Sequence, residues 1–433
     1  MTLSVAIVGS GPSGFYTADA LYRAREDCQI DIIERLPAPY GLIRGGVAPD
    51  HQTTKNVSRN FEKTALRDRV RYYGHVCIGE DLSLAALREM YDAVVLATGA
   101  PLDRPLTIPG GDLPGVIGSA DFVGWYNGHP DFSDLDPPLG DPTVAVIGNG
   151  NVALDIARVL SKTRDELATA DIADYALAAI AAAPISNVYM FGRRGPVEAK
   201  FTNVELREMG ELADCLPVVD PAVLPETIDG EMSDRDLRLK TKNIESLRGF
   251  TEITGRRAAK RVHFAFYAAP VEVLGDDRVT GLRLERTEVV DGRARGTGSF
   301  FEIECGLVLP AIGYRSAPIE GAPFDDNAGL IDNDDGRVEP GLYVVGWIKR
   351  GPTGVIATNR PDGKQLAALI AADFLEGTKP GRAALEVTLG DKGVTWVSFA
   401  DWQKIDAAEI AAATDGAPRR KFTTVADMLA VLD

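Results

Sequence analysis

Cysteine and histidine are scarce in this sequence of 433 residues, with four of each. Cys28, Cys77, Cys215 and Cys305 lie far apart and none forms Cys-x-x-Cys. That excludes a redox dithiol and a cysteine-held iron–sulfur cluster, and buried free thiols are expected instead. His51, His75, His129 and His263 do not pair at ligand spacing, so no metal site is expected. Positive charge is also short: 46 Lys and Arg stand against 63 Asp and Glu, a formal charge of −17. So acidic a chain excludes nucleic acid as a general partner, because phosphate backbones need a basic face. No apolar run reaches the roughly 18 residues of a membrane span. The first strand begins too near Met1 for a signal peptide, which makes a cytoplasmic location the expectation.

What the sequence has is glycine in two ordered places. Gly9-Ser10-Gly11-Pro12-Ser13-Gly14 follows the apolar run Leu3–Val8 and precedes a stretch of helical spacing over 15–25. Strand, glycine turn and helix together form a dinucleotide fingerprint. Gly9 permits the tight turn, Gly11 lets the backbone approach a pyrophosphate, and Gly14 lets strand and helix pack closely. The helix start offers unpaired amides and the positive end of its dipole. The next predicted strand, 30–34, ends in Glu34, whose carboxylate suits free ribose hydroxyls.

The second fingerprint, Gly148-Asn149-Gly150-Asn151-Val152-Ala153, follows the run Thr143–Ile147 and precedes a helix predicted over 151–160. A helical insertion over about 163–183 then delays the next strand, 187–191. This strand ends in Arg193-Arg194, not in an acid. Two guanidiniums can hold a ribose 2′-phosphate through charge-assisted forked hydrogen bonds. The second ligand therefore reads as NADP(H). The first half alone does not separate FAD from NAD, but flavin plus NADPH makes a complete hydride relay.

Longer strings carry a family resemblance. They are Tyr40-Gly41-Leu42-Ile43-Arg44-Gly45-Gly46-Val47-Ala48-Pro49-Asp50-His51, 148–158, Gly192-Arg193-Arg194-Gly195-Pro196, and 346–359 from Gly346-Trp347 to Thr358-Asn359. Over essentially its whole length the chain resembles the adrenodoxin-reductase-type ferredoxin–NADP⁺ reductases. The resemblance implies an α/β fold of two dinucleotide-binding Rossmann-like domains, with an NADP domain (109–318) inserted into a discontinuous FAD domain (1–108 and 319–433, the latter with a C-terminal tail). It implies that FAD is held by Gly9, Gly11, Ser13, Gly14, Glu34, Leu42, Val76, Trp347, Gly354, Val355 and Ile356. NADP(H) would be held by Asn149, Gly150, Asn151, Val152, Arg193, Arg194, Glu205 and Gly354. His51 and Glu208 resemble polar residues placed near the flavin and nicotinamide. Where some relatives have alanine this chain has Gly14, an exchange expected to matter little.

The activity so implied takes a hydride from NADPH onto FAD and passes single electrons to an iron–sulfur ferredoxin, which serves oxygenases. An acidic ferredoxin needs a local basic face on an acidic enzyme. The stretch 235–261 supplies nine basic residues against three acids, and Arg235, Arg238, Lys240 and Lys242 head it. A diaphorase or quinone reductase, and a non-catalytic FAD/NADP sensor, are the alternatives. The oligomeric state is left open. The segment 217–230 is acidic and weakly patterned, and no element is predicted there.

Overall fold

The computed structural model describes residues 2–228, 230–253, 256–414 and 416–433. Leu3–Val8 is buried along its whole length, as a central parallel strand covered on both faces must be. It pairs in parallel with Cys28–Glu34 on one side and Ala93–Leu96 on the other. Val70–Gly74 continues beyond Cys28–Glu34. The far side is completed by a much later segment: Leu342–Val344 pairs in parallel with Ala93–Leu96, and Arg337–Glu339 closes the edge antiparallel.

A second parallel sheet lies between these pieces in sequence. Its order is Leu307–Pro310, Thr143–Ile147, Asn187–Phe191, Lys260–Ala265, Cys215–Val219. Beside it stands a three-stranded antiparallel sheet, Ala268–Leu274, Gly281–Val290 and Arg293–Glu304. The chain crosses to the second sheet and back on adjacent strands. Leu102–Asp103 pairs antiparallel with Tyr314–Arg315, and Arg104 N–H donates to Gly313 at 3.1 Å.

Several elements differ from the sequence reading. The run from Gly341 to Trp347, strand-like in sequence, is a strand only over Leu342–Val344. The chain then bends at Gly346, and Trp347–Arg350 is a single helical turn. A Cβ at Gly346 would lie 2.6 Å from Ser13 Cβ, so this bend is pressed against the first fingerprint. The predicted insertion over 163–183 is two helices, Arg164–Ala168 and Asp174–Ala182, and Thr163 starts the first with a capping box. The unpatterned acidic segment opens with the edge strand Cys215–Val219, where Pro217 is tolerated because an edge position needs no donor on its outer side. Cys77 is half-buried; the other three thiols are buried.

The C-terminal segment folds back over the first sheet. Val397 and Gly74 exchange both backbone hydrogen bonds at 2.8 Å, which caps part of the sheet edge. Arg382 reaches the fully buried Asp31, Nη2 to Oδ1 2.6 Å. Trp402 is 2% exposed and meets Tyr40 edge to face. Among the described residues no helix is long and apolar enough to cross a membrane.

Candidate functional site

The first turn is built as the glycines demand. Gly9 has φ +108°, and a Cβ there would strike the Ala97 carbonyl oxygen at 2.6 Å. A Cβ at Gly14 would come within 2.1 Å of the Gly9 carbonyl oxygen. Alanine at 14 is therefore not an indifferent exchange in this chain: helix and turn touch at backbone distance. Gly11 is the opposite case, since a Cβ on it meets no heavy atom within 4 Å. That open side faces the start of helix Pro12–Ala24, which no side chain caps. Unpaired first-turn amides beside free space are what a pyrophosphate requires.

Glu34 ends the second strand beside this turn. Its Oε2 accepts from Ser10 N at 3.0 Å and Ser10 Oγ at 2.7 Å, and Oε1 accepts from Leu36 N at 3.2 Å. The carboxylate is thus oriented by its own neighbours while lone pairs remain for a ribose. Val76 N–H donates to the Glu34 carbonyl at 2.9 Å, which seats the buried Val76 next to it. Gly41 packs against Gly11, with its Cβ position 3.1 Å from Gly11 Cα, and the following Leu42 is exposed. On the other wall, Gly346 N–H donates to Asp362 Oδ2 at 2.8 Å and Trp347 Nε1 donates to the Thr353 carbonyl at 3.1 Å. Val355 is 60% exposed. Exposed apolar residues flanking the turn fit a flat aromatic ligand.

The second turn repeats the design. Gly148 has φ +144°, Gly150 has nothing within 4 Å of a built Cβ, and helix Asn151–Ser161 has no side-chain cap. Asn149 Oδ1 and Glu205 Oε2 are buried without a hydrogen-bond partner. Buried polar atoms left unpaired mark a place for a ligand's donors. The Asn151 side chain is already engaged, accepting from Thr202 N at 2.7 Å. Arg193 is exposed, and no hydrogen bond or ion pair engages its guanidinium among the described residues. Arg194 Nη1 makes one contact, 3.4 Å to the Gly292 carbonyl at the tip of the hairpin Gly281–Glu304. The arginine backbones are fixed instead: Thr287 Oγ1 donates to the Arg193 carbonyl at 2.8 Å and Tyr267 N to the Arg194 carbonyl at 3.1 Å.

His51 and Glu208 are 157 residues apart in sequence, yet His51 Nε2 lies 2.8 Å from Glu208 Oε2. Around them stands a cluster the sequence reading missed: Asp50, Asp155, Arg158 and Lys162. Arg158, 1% exposed, grips Asp50 with a fork, Nε to Oδ2 2.8 Å and Nη2 to Oδ1 3.0 Å. Lys162 Nζ is 2.6 Å from Asp50 Oδ2, and His51 Nδ1 is 3.9 Å from Asp155 Oδ1. Burial works against the Asp50 carboxylate, but Arg158 and Lys162 overcome it and hold its pKa well below the usual range. Asp155 goes the other way: burial raises it despite Arg158 and His51. For His51, burial opposes the imidazolium, and Glu208, Asp155 and Asp50 outweigh both burial and Arg158, so its pKa is raised. The signal in the sequence was a helix whose buried face carries Asp155 and Arg158 one turn apart, since charges are buried only when paired.

The basic stretch falls mainly on helix Asp234–Thr251. Arg235, Arg238 and Lys242 are exposed and Lys240 is partly so, with Leu237 and Leu239 exposed among them. Arg248 and Lys260 are tied to backbone carbonyls, Arg248 Nη2 to Pro225 at 2.9 Å and Lys260 Nζ to Leu160 at 2.8 Å.

Comparison with known proteins agrees over the whole chain. A family model described as pyridine nucleotide-disulphide oxidoreductase matches residues 3–190. The chain is 43% identical to NADPH-ferredoxin reductase FprA of Mycobacterium tuberculosis, covering 99% of this chain and 98% of that protein. It is 41% identical to mitochondrial NADPH:adrenodoxin oxidoreductase of Homo sapiens, covering 100% of this chain and 92% of that protein. The solved structure of the Mycobacterium tuberculosis FprA in complex with NADPH matches with TM-score 0.93 at 42% identity, over 100% of this chain and 99% of that one.

Proposed function

Because the chain belongs to the family of NADPH–ferredoxin and NADPH–adrenodoxin reductases, we propose that it carries electrons from NADPH through FAD to an iron–sulfur ferredoxin. It is an NADPH-dependent flavoprotein oxidoreductase with a ferredoxin-type partner. The observation that supports this best is the pair of open, uncapped glycine turns whose strands end differently, one in Glu34 and one in Arg193–Arg194. FAD, when bound, takes up two electrons together and can release them singly.

In this reading the FAD unit comprises 1–108 and 319–433 and the NADP unit 109–318. The first turn, with Ser13 and Glu34, holds the FAD pyrophosphate and ribose. Leu42, Val76, Trp347 and Gly354–Ile356 border its rings. Asn149–Val152 cradle the NADPH pyrophosphate, Arg193 and Arg194 clamp its 2′-phosphate, and Glu205 accepts from the same ligand. His51 and Glu208 face the nicotinamide end and hold one shared proton there. We place the protein in the cytoplasm and an oxygenase system downstream of the ferredoxin.

Ferredoxin docks on helix Asp234–Thr251, whose cations Arg235, Arg238, Lys240 and Lys242 surround exposed leucines. NADPH-dependent reduction of cytochrome c should depend on added ferredoxin across a panel of such proteins. Equal rates with and without every ferredoxin would give the activity to a diaphorase instead. The double reversal Arg238→Glu, Lys242→Glu should raise the Michaelis constant for ferredoxin by about tenfold or more and leave that for ferricyanide unchanged. Equal changes for both acceptors would remove the helix from the docking site.

A further inference from the structure

We propose that Arg158 is a positioning residue for the His51–Glu208 pair, holding its two members in register across the junction of the two units and moderating the charge the pair carries. The groups come from three places in the chain. Asp50 and His51 belong to the loop after the first fingerprint, Asp155 and Arg158 to helix Asn151–Ser161, and Glu208 to helix Asn203–Glu208. The single buried guanidinium touches all three carboxylates. It forks onto Asp50, and its Nη1 lies 2.8 Å from Asp155 Oδ1 and 3.4 Å from Glu208 Oε2.

The fork onto Asp50 fixes the residue next to His51. The remaining nitrogen approaches the same Glu208 oxygen that His51 binds at 2.8 Å. That Nη1 makes no aligned hydrogen bond and neither does Asp155 Oδ1, so the inner contact is electrostatic, with no bond direction locked in. The groups facing His51 are Glu208, Asp155, Arg158 and Asp50, with Lys162 behind Asp50 and the neutral, buried Tyr126 hydroxyl nearby. Three carboxylates meet two fixed cations there. Protonating His51 brings the cluster to neutrality. Arg158 opposes that protonation directly and competes with the imidazole for Glu208. Removing its charge would leave Lys162 alone against three acids, and a second proton on His51 would be held more tightly.

The test uses full-length, FAD-loaded protein labelled at histidine carbons. The His51 signal is assigned by its loss in His51→Gln, and its titration is followed by NMR. Arg158→Gln should move the His51 midpoint up by about one pH unit or more. Arg158→Lys keeps the charge but not the fork. Its midpoint should stay within about 0.3 unit, while flavin reduction by NADPH slows roughly tenfold with its Michaelis constant nearly unchanged. An unmoved or lowered midpoint in the folded Gln variant overturns the charge role. A Lys variant with native flavin-reduction rate and pH profile overturns the positioning role, and remains available if the Gln variant does not fold. The link to flavin reduction rests on the function proposed above, but the titration does not. A shifted midpoint with an unshifted rate profile would sustain Arg158 and dismiss the pair from the reaction.

Discussion

The two glycine turns share a backbone and differ in what surrounds it. Each has a left-handed glycine at its start, an open second glycine and an uncapped helix behind it. The first is enclosed by later chain. The bend at Gly346 presses on Ser13, and helix Asn359–Asp373 lies on helix Pro12–Ala24 so closely that a Cβ at Gly363 would be 2.8 Å from Thr17 N. Its acid, Glu34, is held by three hydrogen bonds from its own neighbours. The second turn ends in an exposed Arg193 and in Arg194 with a single long contact. A ligand that stays needs groups already oriented; one that comes and goes can order two side chains on arrival and release them on departure. Ordering a long side chain costs roughly 1–2 kcal/mol, which weakens binding and favours exchange.

The two turns differ most at their third positions. Gly14 and Ala153 occupy the same place in the two fingerprints; the second accommodates a buried methyl there, whereas a Cβ at Gly14 would come within 2.1 Å of the Gly9 carbonyl oxygen. Gly14→Ala should strip FAD from the purified protein and lower its melting temperature, with a loss of about 2 kcal/mol or more. The reciprocal Ala153→Gly should keep full FAD content and lose about 1 kcal/mol. Flavin-to-protein absorbance and thermal unfolding read both. Equal flavin retention in the two variants would show that the close approach does not matter.

The second effect falls on nucleotide affinity alone, with fold and flavin content intact, and concerns the strand ends. Arg193→Ala with Arg194→Ala should raise the Michaelis constant for NADPH about 100-fold, near 3 kcal/mol for two charge-assisted contacts. The constant for NADH should hardly change. A constant NADPH/NADH ratio would remove the phosphate clamp.

The smallest effect lies where the two regions meet. His51 is raised by its partners, so protonation is coupled to folding. The stabilisation is fully present below the unfolded value of about 6.5 and is lost as pH rises through the higher folded value. Glu208→Gln should therefore destabilise by on the order of 1 kcal/mol below pH ~6 and converge on the parent above that window. Denaturant midpoints measured across pH 5–9 would show the convergence; a constant gap would assign the loss to packing.

How far the sequence could be read depends on the range of each interaction. Gly9–Glu34 and Gly148–Arg194 are local strand–turn–helix units, and their spacing alone announces them. The strand Cys215–Val219 was hidden because a short edge strand containing Pro217 shows neither alternation nor a continuous apolar run. The hairpin Gly281–Glu304 shows no strand pattern because its second strand is largely exposed and carries Gly296 and Gly298 in its interior. Glu208 could be named by resemblance, but its meeting with His51 is a contact across 157 residues, which no periodicity encodes. Arg158 was legible in principle as a charge on the buried face of a helix. Its partners were not, since Asp50 lies 108 positions earlier.

Because Leu102–Asp103 and Tyr314–Arg315 are hydrogen-bonded neighbours, everything between them enters and leaves through one doorway. The ends of the intervening stretch are close enough for a short loop to join the flanks, as tolerated domain insertions require. In the reading proposed above, the stretch that carries the second glycine turn is thus a single insert in the chain that builds the first sheet, and it leaves that sheet's strand order untouched.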